Sequence, residues 1–296
     1  MANSCSSFGH VVASDRRHVT STRIHPTAIV DAKAQIDPTV EVGPYTIIEP
    51  DVVIGPRTSI GPHCFIARGT RLGAENQIHF GAVIGHEPQD LTYDGGPTTT
   101  VIGDHNTIRE YVTIHRGATP GTSTQIGSDN FLMANVHIAH NCRVGNKIIM
   151  ANLSTLAGHC VVEDQAVLAG LTVCHQFTRI GRLAMLSGLS GPSKDVPPFL
   201  VCTDRRGVIR GINVVGLRRA GIGAAGRAAI KRAYQVLYRS GLNTRHALEQ
   251  LRVGDPTPEV RQMIAFIETA KRGICPGATA RIEAAEDDEE VPAEPA

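Results

Sequence analysis

Counted in sixes from Ile24, the chain returns to an aliphatic side chain at almost every stop. The first run is Ile24, Val30, Ile36, Val42, Ile48, Ile54, Ile60, Ile66, Leu72, Ile78 and Ile84; the count resumes at Ile102, Ile108 and Ile114, and again from Ile126 to Leu186. Of the 28 stops 25 are apolar, and the exceptions are Asp90, Gly96 and Pro120. A period of six is neither the 3.6 of a helix nor the alternation of an ordinary strand. It is the hexapeptide repeat of a parallel β-helix, in which each unit supplies one short strand and one corner. A β-sandwich of short strands would drift out of so strict a count within a few turns.

Three hexads make a triangular coil of 18 residues, and coils stack about 4.8 Å apart through strand-to-strand hydrogen bonds. The aliphatic residues fill the prism, so any site must lie on the outside, between subunits, or under loops that interrupt the repeat. Glycine and proline follow many of them, as in Val42-Gly43-Pro44, Ile54-Gly55-Pro56 and Ile60-Gly61-Pro62, and suit a tight corner. Two segments lose the pattern: a loop near 86–101, HEPQDLTYDGGPTTTV, and another near 116–125, RGATPGTSTQ. Loops on a rigid scaffold are common carriers of binding residues.

The fold class is therefore mainly β, a parallel β-helix over 24–198, followed by a connecting segment and a helical C-terminal domain over 199–275 that covers the end of the stack. One helix is predicted over 217–238, with Ile230, Ala233, Tyr234, Leu237 and Tyr238 on one face; a second covers His246–Leu251. A third starts at Thr257-Pro258 and runs to Gly273. Residues 1–23 read as a flexible leader without the apolar stretch of a secretory signal. Residues 276–296 read as a disordered acidic tail, its last sixteen holding seven acids against one base.

That tail hides a basic body, because the whole chain carries +1. Between Arg205 and Arg239 stand nine Lys or Arg and no acid, which points to an anionic partner. With 4% aromatics and no Trp, stacking on nucleic acid is disfavoured, and an acidic protein or a phosphorylated small molecule fits better. Seven cysteines without a CxxC pair suit a reducing cytosol, and no apolar run is long enough to span a membrane.

Candidate chemistry lies with histidine. His137 and His140 flank Ile138 just after the second loop; His115 lies about one coil earlier, His159 about one coil later, and His175 most of a further coil on. Histidine is the side chain best able to take a proton near neutrality, although stacked histidines also bind metals. His10, His18, His25, His63 and His246 are read as ordinary surface residues.

Several stretches together carry a resemblance: HPTAIV at 25–30, QDL at 89–91, IREYVTIHRG at 108–117, GSDNFLMANVHIAHNC at 127–142, TLAGH at 155–159, HQF at 175–177, DVPPF at 195–199 and GINVVGLRRAG at 211–221. From about Ile24 through the third helix the chain resembles the acyl carrier protein–UDP-N-acetylglucosamine O-acyltransferases, which begin lipid A synthesis. The resemblance implies a left-handed β-helix, an exception to the usual right-handed crossover, and a cytoplasmic homotrimer with sites between subunits. Its partners would be UDP-N-acetylglucosamine and an acyl carrier protein bearing a 3-hydroxyacyl thioester, with no cofactor, metal, nucleic acid or membrane span. By position, His140 matches the general base for the sugar 3-hydroxyl, and Gly158 the backbone N–H that stabilises the oxyanion. Gln89, Asp90, His137, His159, His175 and Gln176 match nucleotide-sugar contacts, and Asn213 and Arg219 match polar residues near the diphosphate and the carrier arm. Gly188 matches the acyl-chain ruler, where the absence of a side chain would leave the groove open to a long donor.

The chain departs from the family at Asn141, where an Asp commonly follows the base, and at Thr92, where a Lys often follows the QD pair. Val215 replaces an acidic residue and Ala220 the second Arg of a pair. A related N-acyltransferase usually carries a further N-terminal domain, for which residues 1–23 are too short. A γ-type carbonic anhydrase needs two ligand histidines five residues apart, a spacing that no pair here has. The His array argues against a purely structural β-helix.

Overall fold

In the computed structural model, which describes residues 23–278, the repeat winds as a left-handed parallel β-helix. Its three faces are sheets whose neighbours are strands from successive coils. Face 1 has eleven strands and begins at Arg23–Ile24; faces 2 and 3 have eight each and begin at Ile29–Val30 and Gln35–Ile36. Most strands are two residues long, the first pointing out and the second in, as in Val53–Ile54 and Phe65–Ile66. The inward residues form one continuous core, with Ile48, Ile66, Ile84, Ile108, Leu132 and Leu156 at 1% exposure or less.

Corner geometry shows why glycine recurs there. Where a glycine precedes a corner it lies against the backbone of the next coil: a Cβ on Gly55 would stand 2.7 Å from the carbonyl of Gly73. The left-handed conformation falls two residues later and is carried by ordinary side chains such as Tyr45, Arg57, Leu153 and Leu171, with φ between 56° and 63°. Close stacking of coils, not φ, demands the glycine at these places.

Both loops leave the same edge. Residues 87–98 connect the face 2 strand Val83–His86 to the face 3 strand Thr99–Ile102, and residues 116–122 connect Thr113–His115 to Ser123–Ile126. Across them the separation of stacked partners rises from 18 to 30 and then 24 residues, so the inserts are multiples of six and leave the phase intact. Inside the corner between faces 3 and 1, an asparagine ladder ties these same coils together. Asn76 Oδ1 accepts from Asn106 N and Nδ2, Asn106 Oδ1 accepts from Asn130 N, and Asn130 Oδ1 accepts from Ile148 N. All three asparagines are buried, and each exchange satisfies polar groups that would otherwise be stranded in the core.

Face 1 continues past the prism into an antiparallel hairpin, Leu200–Thr203 and Val208–Ile212, where the sequence suggested only a connecting segment. Four helices follow: α1 (Val214–Arg219), α2 (Ala224–Arg239), α3 (Thr244–Arg252) and α4 (Pro258–Glu268). The single helix predicted over 217–238 is thus two, parted at Gly221, which has φ 77°, and at Gly223, which caps α2 in extended conformation. The last helix stops at Glu268, five residues short of Gly273. Arg179 of face 3 fastens α4 by lying 4.2 Å over the Phe266 ring and donating to Thr269 Oγ1. Cys275 through Ala278 return to the body, where Ala278 N donates to Ile209 O, so residues 276–278, predicted to begin the tail, pack against it. The leader before Arg23 and the remainder of the tail lie outside the described residues.

Candidate active site

The edge between faces 2 and 3 gathers most of the predicted residues. Going up the coils it carries the first loop, the second loop, His140-Asn141, Gly158-His159 and Gln176-Phe177. The loops are tied to each other: Gly121 N donates to Pro97 O, Arg116 pairs with Glu87 at 3.0 Å, and the same guanidinium lies 5.6 Å over the Tyr93 ring. From the second loop, Ala118 N then donates to Asn141 Oδ1 at 3.0 Å.

His140 is 6% exposed. It points away from the prism, as expected, yet it is covered by its neighbours rather than open to solvent. Its Nδ1 lies 2.9 Å from Asn141 Oδ1. Its Nε2 faces Asp90 Oδ2 at 3.7 Å, and the ring meets His159 edge-on at 5.2 Å. Under it lies Gly158, where a Cβ would stand 2.6 Å from the imidazole. Gly158 has no left-handed φ; it is glycine because the histidine occupies the space.

The N–H of the first corner residue has no backbone partner in this repeat, and side chains commonly supply one. Asp104 Oδ1 takes Ala74 N–H, Asn146 Oδ1 takes Ser128 N–H, and Asp164 Oδ1 takes Asn146 N–H. Gly158 is a buried residue beside His140, and its N–H finds no acceptor among the described residues. A buried donor without a partner is costly, and one beside a histidine suits an oxygen that gains charge.

The surrounding histidines are held neutral. His115 is pushed down to about 4 by burial, and next by the His137, His86 and His140 charges; its ring meets His137 at 4.8 Å. Burial also lowers His137, whose Nδ1 pairs with Thr113 Oγ1 at 2.7 Å, and His159. Asp90 stays ionised below the usual carboxylate range because Thr92 donates to Oδ1 from its N–H and its hydroxyl, at 2.9 and 2.8 Å.

Comparison with known proteins fits this arrangement. A profile described as UDP-N-acetylglucosamine O-acyltransferase, domain 2, matches residues 195–275. The acyl-[acyl-carrier-protein]–UDP-N-acetylglucosamine O-acyltransferase of Herminiimonas arsenicoxydans is 49% identical over 257 residues, covering 85% of this chain and 98% of its own. That of Burkholderia orbicola is 50% identical over 259 residues, covering 86% and 99%. Among solved structures, the UDP-N-acetylglucosamine acyltransferase of Francisella novicida superposes with a TM-score of 0.84 at 36% identity, covering 87% of this chain and 95% of that one. The chain belongs to the acyl-[acyl-carrier-protein]–UDP-N-acetylglucosamine O-acyltransferase family.

Set beside what membership in this acyltransferase family led one to expect, the remaining residues divide. Gln89 is exposed at the first loop, and Leu91 beyond Asp90 is fully so. His175 and Gln176 lie on the same edge two coils above His140, His175 Nδ1 lying 3.1 Å from Gln176 O. Phe177, quoted only within a motif, stacks on His159 at 4.7 Å and 19° and extends the wall; only the coil count could have placed it there. Asn213 is the N-cap of α1: its Oδ1 accepts from Gly216 N and its Nδ2 donates to Leu183 O. Its side chain is thus largely committed to the fold. Arg219 is exposed in the last turn of α1, and neither residue touches His140 within one chain.

Gly188 stands elsewhere, on the edge between faces 1 and 2. It has no left-handed φ, and a Cβ there would meet only Gly170 O at 3.4 Å, an ordinary contact. Gly170 is equally open, with Asn152 O at 3.4 Å. Neither turn geometry nor packing within the chain calls for glycine at these places. The exposed Leu153, Leu171 and Leu189 flank them.

Proposed function

We propose that His140 is the general base and the Gly158 N–H the oxyanion donor of this acyltransferase. The chain is an acyl-[acyl-carrier-protein]–UDP-N-acetylglucosamine O-acyltransferase, the activity that opens lipid A biosynthesis. The sugar 3-hydroxyl gives its proton to His140 Nε2 as its oxygen attacks the thioester carbonyl carbon. Negative charge gathers on the carbonyl oxygen, where a fixed N–H is worth most. Collapse breaks the carbon–sulfur bond, and the imidazolium returns the proton to the departing thiolate of the carrier arm. The observation that carries this reading is the pairing of a histidine tethered at Nδ1 with an acceptor-free N–H beside its ring.

Asp90, with Oδ1 saturated by Thr92, offers Oδ2 to the incoming sugar, alongside Gln89, His137, His159, His175 and Gln176. Arg205, Arg206, Arg218, Arg219, Lys231 and Arg232 are exposed and suit the diphosphate and an acidic carrier. Leu91 stands bare beside the site and the open glycine edge lies on a different corner, so a second copy completes the groove and the working form is a homotrimer. Gly188 sets the length of a 3-hydroxyacyl donor. No helix among the described residues is long and apolar enough to cross a membrane, and we place the enzyme in the cytoplasm.

The test is to incubate the protein with a panel of acyl carrier protein thioesters and UDP-N-acetylglucosamine, with and without prior chelation, and to weigh the products. A 3-O-acyl product of unchanged yield after chelation is expected. Activity lost on chelation and restored by zinc would sink the histidine-base reading.

A further inference from the structure

Basic side chains at the helical end of the prism fall into two groups. Those of α3, α4 and face 3 meet acids: Arg245 pairs with Glu249 at 3.2 Å, Arg261 with Asp255 at 3.1 Å, Arg252 with Glu268, and Arg179 with Glu163 at 3.0 Å. On the hairpin turn, α1 and α2, Arg205, Arg206, Arg218, Arg219, Lys231 and Arg232 are exposed and form no ion pair among the described residues. Their own segment cannot supply one, because no acid occurs between Arg205 and Arg239. Two acids adjoin it, but Asp204 Oδ1 already takes the Arg206 N–H, and Glu259 lies against Gly226 at the start of α2. The described chain ends at this same surface. Ile209 N donates to Pro276 O and Ala278 N to Ile209 O, so residues 276–278 run along the hairpin strand. Gly277 abuts Tyr238 in the last turn of α2, where a Cβ would stand 2.9 Å from the ring. Beyond Ala278 the sequence holds seven acids, five of them consecutive from Glu286 to Glu290.

We propose that the acidic run Glu286–Glu290 docks on the basic surface of the hairpin, α1 and α2 of its own chain, and so competes with the acyl carrier protein for that surface. The competition rests on the reading of this surface as the carrier's landing place; the docking does not. Reach permits it. Eight residues lead from Ala278 to Glu286, up to about 27 Å when extended, and α2 with its 16 residues is about 24 Å long. From its exit at the last turn of α2 the run therefore passes every exposed base along that helix. Charge favours it as well, since five acids meet six bases that lack partners. A second copy of the chain would bring arginine against arginine. Individually weak contacts suffice for a tethered segment, because its effective concentration is of millimolar order. The effect falls on the carrier alone, since Arg219 does not touch His140 within one chain.

The experiment compares full-length wild type with a full-length variant carrying Glu286→Gln, Asp287→Asn, Asp288→Asn, Glu289→Gln and Glu290→Gln. At low salt the variant's KM for the acyl carrier protein thioester should fall about tenfold, with kcat and the KM for UDP-N-acetylglucosamine within about twofold. Near 0.5 M salt, where the Debye length is only about 4 Å, the two proteins should converge. Docking is read separately, by zero-length carbodiimide coupling of wild type and mass mapping of its peptides. Lys231 should be joined to a carboxylate of residues 286–290 in a product of single-chain mass. The proposal is overturned if no such link forms, or if the variant's carrier KM rises. If the link forms and the carrier KM does not move, the tail docks where the carrier does not land. That outcome ends the competition and the carrier reading of the surface, and it is distinct from a failure to dock.

Discussion

Two edges of one prism share a backbone and differ in everything else. On the edge between faces 2 and 3, Asn141 and His159 sit at φ 59° and 61°; on the edge between faces 1 and 2, Leu153, Leu171 and Leu189 sit at 63°, 61° and 63°. The first edge carries both loops, the imidazole cluster and a glycine pressed against a ring. The second carries exposed leucines and two glycines that nothing in the chain requires. The repeat fixes where side chains can stand, and the inserted loops decide which edge is covered. Without the tethered loops His140 would be one more exposed corner residue. With them it is covered, its Nδ1 lies against Asn141, and one carboxylate faces it.

The largest test removes the chemistry from its edge. His140→Ala should lower turnover by roughly 10²–10⁴, the usual worth of a positioned base, with no cavity in the prism because the side chain lies outside it. A variant retaining half its activity would end the assignment.

A matched pair of glycines sharpens the contrast. Gly158 and Gly170 hold the same place in their corners, yet a Cβ would meet the His140 ring at 2.6 Å in one case and a single carbonyl at 3.4 Å in the other. Gly158→Ala should cost roughly 10²–10³ in kcat, comparable to loss of an oxyanion contact, while Gly170→Ala should keep the rate within about threefold. Equal effects in both variants would mean that the two edges are not functionally distinct.

Much of this could be read from the sequence, and the rest could not for definite reasons. The count of six survives both loops because each insert is a multiple of six, so the break at Asp90, Gly96 and Pro120 never shifts the columns that follow. The histidines stood out because their spacing follows the coil. Burial of His140 was hidden, since it depends on how the loops fold over the corner and on Ala118 reaching Asn141. The asparagine ladder reads as three ordinary polar residues until the coils are stacked. The hairpin after Leu200 was hidden because it leaves the six-residue count. The break in the first predicted helix was missed because the span 217–238 ran through Gly221 and Gly223, although its apolar face begins only at Ile230.

The glycine edge can be tested through the donor. From the coil of His140, which also holds Phe131, face 1 climbs by Ile149 and Val167 to Met185, beside Gly188. Three coils span about 14 Å, close to the extended length of a chain of about 12 to 14 carbons. Gly188→Met should exclude about three methylenes at about 0.8 kcal/mol each, so a long donor loses roughly fiftyfold and a short one almost nothing. Competing long and short thioesters in one tube reads this as a product ratio. A ratio that does not change in the folded protein would remove the ruler from this edge.

The smallest effect concerns stability and separates the buried histidines from the chemistry they surround. His115 is held at about 4 in the folded chain against 6.5 for the free side chain, so between these values the unfolded chain binds the extra proton. The neutral form's contribution is therefore complete above about pH 6.5 and is lost as the pH falls towards 4, amounting to about 2 kcal/mol by pH 5. His115→Leu removes the titration while filling the same buried space, and its Nδ1 leaves no broken bond because that atom has no partner among the described residues. Thermal unfolding at pH 7.5 and pH 5 should show wild type losing several degrees more than the variant. Parallel loss in both proteins would mean that the acid sensitivity of the fold arises elsewhere on the prism.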